Sequence, residues 1–134
     1  MNRYVTDSHA LIWHLQNLPN LSARVRQIFS QIDGGAATAV IPTIVPVEMI
    51  YLAEKRRIPG NLLSAVLNFI GTNSVNYELA PLDFSVVSSM RQISRSVVPD
   101  MPDRIIAATA LALDLPLLSR DSAISNLSEI EVIW

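Results

Sequence analysis

The strongest constraint on this fold is an alternation of short apolar runs with segments of helical period. The runs Arg3-Tyr4-Val5-Thr6, Ala39-Val40-Ile41, Tyr77-Glu78-Leu79-Ala80, Pro116-Leu117-Leu118-Ser119 and Ile130-Glu131-Val132-Ile133-Trp134 are too short for stable helices and read as strands. Between them lie segments whose apolar residues recur at helical spacing. Strands that alternate with helices in this way are joined by crossovers, which predicts an α/β domain with a small, mostly parallel central sheet. The right-handed crossover rule limits the topology without fixing strand order.

Punctuation residues divide the helical segments. Asp7-Ser8 starts a short helix bearing Ala10, Leu11, Trp13 and Leu15, and the stretch from Asn17 to Asn20 breaks it with Pro19. Ser22 caps a second helix, in which Val25, Ile28, Phe29 and Ile32 share a face until Gly34-Gly35. Pro42, Thr43 and Pro46 turn the chain into a helix carrying Val47, Ile50, Tyr51 and Glu54, and Pro59-Gly60 separates it from an apolar helix over Leu62 to Ile70. Asp83 caps a helix through Val86, Val87, Met90 and Ile93, and Pro102 occupies a first helical position ahead of Ile105 to Leu113. Trp13, Phe29, Phe69 and Phe84 read as core, and Trp134 as core or dimer surface. Met49, Leu52 and Leu62-Leu63 read as core or as an apolar groove for a partner.

The 134 residues suit one domain over 1–134. With no cysteine, disulfides and thiolate metal sites are excluded. No apolar stretch approaches the ~20 residues that span a bilayer, and Asp7 follows the N-terminus too soon for a secretory segment, so a cytoplasmic protein with no membrane association is expected. The net charge of −2 argues against binding nucleic acid by bulk charge. Nine of the ten basic residues are Arg, however, which suits bidentate phosphate contact.

Four of the twelve acids stand where an apolar run meets a helix: Asp7, Glu48, Asp103 and Asp121. In open α/β sheets the binding crevice lies outside the carboxyl ends of the strands. Asp7 and Asp121 map there directly, and Glu48 and Asp103, in first helical turns, face the same rim if their helices pack on the sheet. Each residue alone has a structural reading as helix cap, first-turn acid or turn residue. Capping does not require all of them at one rim. Clustered carboxylates need a cation, and hard oxygen donors without Cys favour Mg²⁺ or Mn²⁺ over Zn²⁺. The chemistry implied is in-line attack of water on a phosphodiester.

Val5-Thr6-Asp7-Ser8-His9-Ala10-Leu11, Val47-Glu48-Met49, Pro102-Asp103-Arg104-Ile105-Ile106-Ala107-Ala108-Thr109-Ala110 and Leu118-Ser119-Arg120-Asp121 resemble the four motifs of the PIN-domain family, in the family's order over essentially the whole chain. More narrowly, the chain resembles a VapC-type toxin ribonuclease. The resemblance implies a three-layer α/β/α domain, an acidic Mg²⁺/Mn²⁺ pocket and endonuclease action on RNA. It implies Asp7 and Asp103 as direct metal ligands and Glu48 as ligand or holder of metal-bound water. Asp121, with Ser119 beside it, would support a second metal or the water shell, and Asp100 matches an accessory acid. A homodimer and a cognate antitoxin of the VapB kind are also implied. One departure is that Val97-Val98-Pro99-Asp100-Met101-Pro102-Asp103-Arg104 lacks the His of the family's H-x-D-P-F-D-R pattern.

Around these acids, Lys55-Arg56-Arg57 is either a solvated helix end or a clamp on RNA phosphates through Arg56 and Arg57. Arg104 and Arg120 orient the neighbouring acids or bind substrate. His9 and His14, five apart, read as structural. Two other functions compete: a catalytically inactive PIN-like binding module, against which the intact acids argue, and a phosphatase of another α/β class. Asp7-Ser8-His9 lacks the second Asp two positions on that the latter needs.

Overall fold

A computed structural model of the protein describes residues 2–72, 74 and 76–134, so that Met1, Asn73 and Val75 lie outside the described residues. Strand β1 (Asn2–Thr6) leads into α1 (Ser8–Leu15) and α2 (Ala23–Asp33), and β2 (Ala37–Pro42) into α3 (Ile44–Glu54) and α4 (Gly60–Gly71). Then follow β3 (Tyr77–Ala80), α5 (Phe84–Met90), α6 (Met101–Leu113), β4 (Leu117–Leu118), α7 (Ser122–Ser125) and β5 (Val132–Ile133).

The five strands form one sheet of order β3-β2-β1-β4-β5, and every pairing is parallel. The chain steps from β1 outward through β2 to β3, then returns to the other side of β1 for β4 and β5. Right-handed crossovers in opposite directions place helices on opposite faces, which gives the three layers. All six residues of β2 are buried, as a strand covered on both faces requires. The core gathers Val5, Leu11, Phe29, Ile41, Met49, Ile106, Leu117 and Leu118, each wholly buried.

Local chemistry starts the helices where expected. Asp7, Ser22 and Asp83 accept from the backbone N–H three residues on, at 2.8, 3.1 and 3.1 Å, capping α1, α2 and α5. Three details differ from the sequence reading, and one choice it left open is decided. The third helix begins at Ile44, because Pro46 is tolerated in a first turn whose N–H groups have no intrahelical partner. Its buried face is Val45, Pro46 and Met49, whereas Val47, Ile50 and Tyr51 are exposed. Of the two readings of Met49, Leu52 and Leu62-Leu63, core or groove, the core one holds: Met49 and Leu62 are buried, and Leu52 and Leu63 pack against the core. Phe84 is 83% exposed rather than core, because α5 turns Val86 inward and leaves its first residue outside.

Candidate active site

The site lies at the switch between β1 and β4, where the sheet changes direction and a crevice opens beyond the carboxyl ends of the strands. The register pairs Thr6 with Leu118, and the Asp7 N–H continues it by donating to the Leu118 carbonyl at 3.2 Å. Asp7 and Ser119 are consequently neighbours although far apart in the chain. The Ser119 hydroxyl, wholly buried, donates to the Asp7 carboxylate and accepts the Asp121 N–H at 3.1 Å. One serine thus joins the ends of both strands.

Asp7 is buried as well as capping, with Oδ1 taken by the Ala10 N–H. Burial pushes its carboxyl above the usual range; the Ser119 hydroxyl, the Ala10 N–H and the charge of His9 pull it back, and Asp121 pushes it further up. Asp121 caps α7, a short helix absent from the sequence reading, through a 2.9 Å bond from the Ile124 N–H. Asp100 caps α6 by accepting the Asp103 N–H at 3.3 Å. The helix therefore opens at Met101, with Pro102 second and Asp103 in its first turn. Glu48 sits in the second turn of α3 rather than the first, since that helix starts earlier than expected. Ser8 holds it, the hydroxyl donating to Glu48 Oε1 at 2.6 Å.

Asp103 shows what brings these acids together. Its carboxyl is pushed up to about 7, first by burial and then by the negative charges of Asp100, Asp121, Glu48 and Asp7. Four carboxylates from four parts of the chain thus act on one. Among the described residues the ion pairs are Arg3–Glu78 and His14–Asp33, so none of these five acids is in a direct ion pair, and His9 acts on Asp7 only through its charge. No three of the described acids or histidines close into a ready cage. Mg²⁺ does not need one, since it keeps several waters and binds through one or two carboxylates plus phosphate oxygens. An all-oxygen donor set outside any direct ion pair fits such an ion.

The neighbouring cations are placed differently from one another. The Arg104 guanidinium donates through Nε to the Ile93 carbonyl (2.8 Å) and through Nη2 to that of Met90 (2.9 Å), bracing the segment before α6. Arg56 and Arg57 are exposed in the turn just beyond α3, past the helix end remote from its N-terminus. Ser8 was missed in the sequence because a serine at a helix start has an ordinary reason to be there. The aromatic pair Trp13 and Trp134, 5.9 Å between centroids, was read only as core or surface.

A family model described as PIN domain matches residues 4–130. Among solved structures, the chain is similar to DNA-bound VapBC from Salmonella typhimurium, at 21% identity over 99% of this chain and 98% of that chain, with a TM-score of 0.72. It is also similar to VapBC2 from Rickettsia felis bound to a promoter DNA fragment (12% identity, 98% and 97% covered, TM-score 0.71). A third is VapBC-1 from nontypeable Haemophilus influenzae (13% identity, 98% and 96% covered, TM-score 0.69). No curated protein matches the sequence.

Proposed function

The chain belongs to the PIN-domain family, and from that membership we propose that it is a Mg²⁺- or Mn²⁺-dependent endoribonuclease, the toxin of a toxin–antitoxin pair. The observation that carries this reading is the convergence of Asp7, Glu48, Asp100 and Asp121 on Asp103 at the strand switch, outside any direct ion pair. Similarity to chains in VapBC complexes supports an antitoxin partner of the VapB kind. A homodimer belongs to the same proposal.

In this mechanism Asp7 and Asp103 hold the ion, and Asp121 and Asp100 complete its surroundings. When bound there, such an ion would supply charge neutralisation at the phosphate and a lowered pKa for the attacking water. Caps orient the residues in advance: Asp7 gives Oδ1 to α1 and Asp121 gives Oδ1 to α7, which fixes the direction of each second oxygen. Ser8 occupies Glu48 Oε1, leaving Oε2 to orient the water for attack on phosphorus in line with the departing ribose oxygen. Ser119 offsets part of the effect of burial on Asp7 by donating to its carboxylate, which favours the ionised form. An open rim, with Glu48, Asp103 and Asp121 half-buried and Asp100 exposed, suits a polymer better than an enclosed small molecule.

The test is incubation of purified protein with a mixed cellular RNA pool, with Mn²⁺, with EDTA and with the Asp103→Asn variant. Discrete cuts that need metal and vanish in the variant are expected. No cut in any lane, from folded and antitoxin-free protein, would instead favour a binding module that has lost catalysis.

A further inference from the structure

We propose that Trp13, Trp134 and Arg120 form a stacking subsite for an unpaired base beside the scissile phosphate, so that the enzyme takes single-stranded RNA at this position. The inference rests on the ribonuclease reading above and deepens it. Trp134 follows β5, whose register sets Ile133 against Leu118; the Ser119 N–H continues that ladder by donating to the Ile133 carbonyl at 3.3 Å. Trp134 therefore stands at the same carboxyl rim as Ser119 and the acids.

Its ring meets that of Trp13 edge-on, 5.9 Å between centroids and 71° between planes. The Arg120 guanidinium carbon lies 5.9 Å from the Trp13 ring centroid, within the range of a cation–π contact. The exposed His9 ring lies 5.6 Å from that of Trp13, tilted by 45°. An aromatic and cationic strip thus runs from the acids outward. Beside it lies a shallow, open depression lined by Pro19, Asn20, Leu21, Ser22, Arg120 and Trp134, which leaves the outer side of this rim accessible to a polymer.

None of this is needed by the acid site for holding an ion. Trp13 and Trp134 pack against the hydrophobic core yet remain half-buried, and Arg120 beside them is exposed. Base faces stack on aromatic rings whatever their identity, and an arginine beside the rings adds attraction for the base and its phosphate. A base in a duplex is already stacked on both faces, and so cannot use the strip.

Both tryptophans of the chain lie in this cluster, so intrinsic emission reports on it directly. The experiment titrates Asp103→Asn protein with a short single-stranded oligoribonucleotide, with its duplex, and with versions carrying one abasic position in turn. Quenching by the single strand is expected, with loss of binding of roughly tenfold in Trp134→Ala and recovery of most of it in Trp134→Phe. Arg120→Ala, exposed and safe for folding, is expected to weaken binding several-fold. One abasic position should reproduce the Trp134→Ala defect. Metal-dependent cutting by otherwise wild-type protein that is indifferent to Trp134→Ala, to strandedness and to abasic position would overturn the subsite and leave the nuclease standing. Absence of both cutting and quenching would overturn the two together.

Discussion

The Ser8 hydroxyl and Glu48 Oε1 meet at 2.6 Å, tying the first turn of α1 to the second turn of α3 across the candidate site. Of the functional acids, Glu48 has the side chain with the most torsional freedom, and this bond selects one of its rotamers. Ser8→Ala is expected to leave the protein folded while lowering kcat/KM for RNA roughly tenfold, the scale of one lost hydrogen bond to a charged group. Steady-state kinetics alongside thermal melting checks this. A variant that loses melting temperature but keeps its kcat/KM would show the bond to be structural only.

Asp7 combines a helix cap with a proposed ligand position, and one substitution separates the roles. In Asp7→Asn the amide oxygen still accepts the Ala10 N–H, so stability should stay within about 1 kcal/mol of the parent. Metal-dependent cleavage should be lost, and so should growth arrest on expression. If Asp7→Asn cleaves normally, capping is the whole of that residue's contribution.

The raised Asp103 carboxyl makes stability depend on pH with a definite sign. Its ordinary value is 3.8 and the folded value about 7, so the folded state binds the proton more tightly than the unfolded chain. The associated stability is complete below about pH 4 and is lost as pH rises to about 7. Asp7, also raised, acts in the same direction. Metal-free protein should therefore melt lower at pH 8 than at pH 5. Because Asp103 is only half-buried, solvent screening limits its share to roughly 1 kcal/mol, about 3 °C for a domain of this size. In Asp103→Asn that share should disappear, leaving the variant the more stable protein at pH 8. Equal melting of parent and variant at both pH values would contradict the electrostatic reading of the cluster.

Added Mn²⁺ should reverse the loss at high pH. At pH 8 the ion is expected to raise the melting temperature of the parent in proportion to the logarithm of its concentration. At pH 5 it should compete with the proton on Asp103 and raise it less. Calorimetric titration at the two pH values measures the same difference as affinity. A pH-independent affinity would remove Asp103 from the ion's surroundings.

Arg56 and Arg57 follow the C-terminal end of α3, the helix that carries Glu48, in a turn where Arg56 is left-handed and the Arg57 N–H donates back to the Leu52 carbonyl. If RNA follows that helix, replacing both by Ala should weaken binding and lower the slope of log affinity against log salt by about one to two. An unchanged slope would route the strand elsewhere.

Much of this was legible in the chain. The strand runs, the capping Asp and Ser residues and the rim position of Asp7 and Asp121 follow from local chemistry, which acts between near neighbours in sequence. Phe84 and the outer face of α3 were misread because hydrophobicity alone does not say which side of a short helix meets the sheet. The Ser8–Glu48 bond and the double role of Ser119 were out of reach, since each depends on strand order, which crossover handedness restricts without selecting. Trp13 and Trp134 share that difficulty. They become neighbours only because β5 lies next to β4, and β4 next to β1.

Position of β1 at the centre of the sheet has a consequence for the life of the chain in a cell. One neighbour, β2, follows β1 closely in the chain, but the other, β4, together with Ser119 and Asp121, comes more than a hundred residues later. A nascent polypeptide halted anywhere before those residues leave the ribosome carries Asp7 and Glu48 without their counterpart. The proposed site therefore assembles in one step, once β4 and the residues after it can pair with β1, and a fragment cut short before Leu117 would lack Ser119 and Asp121.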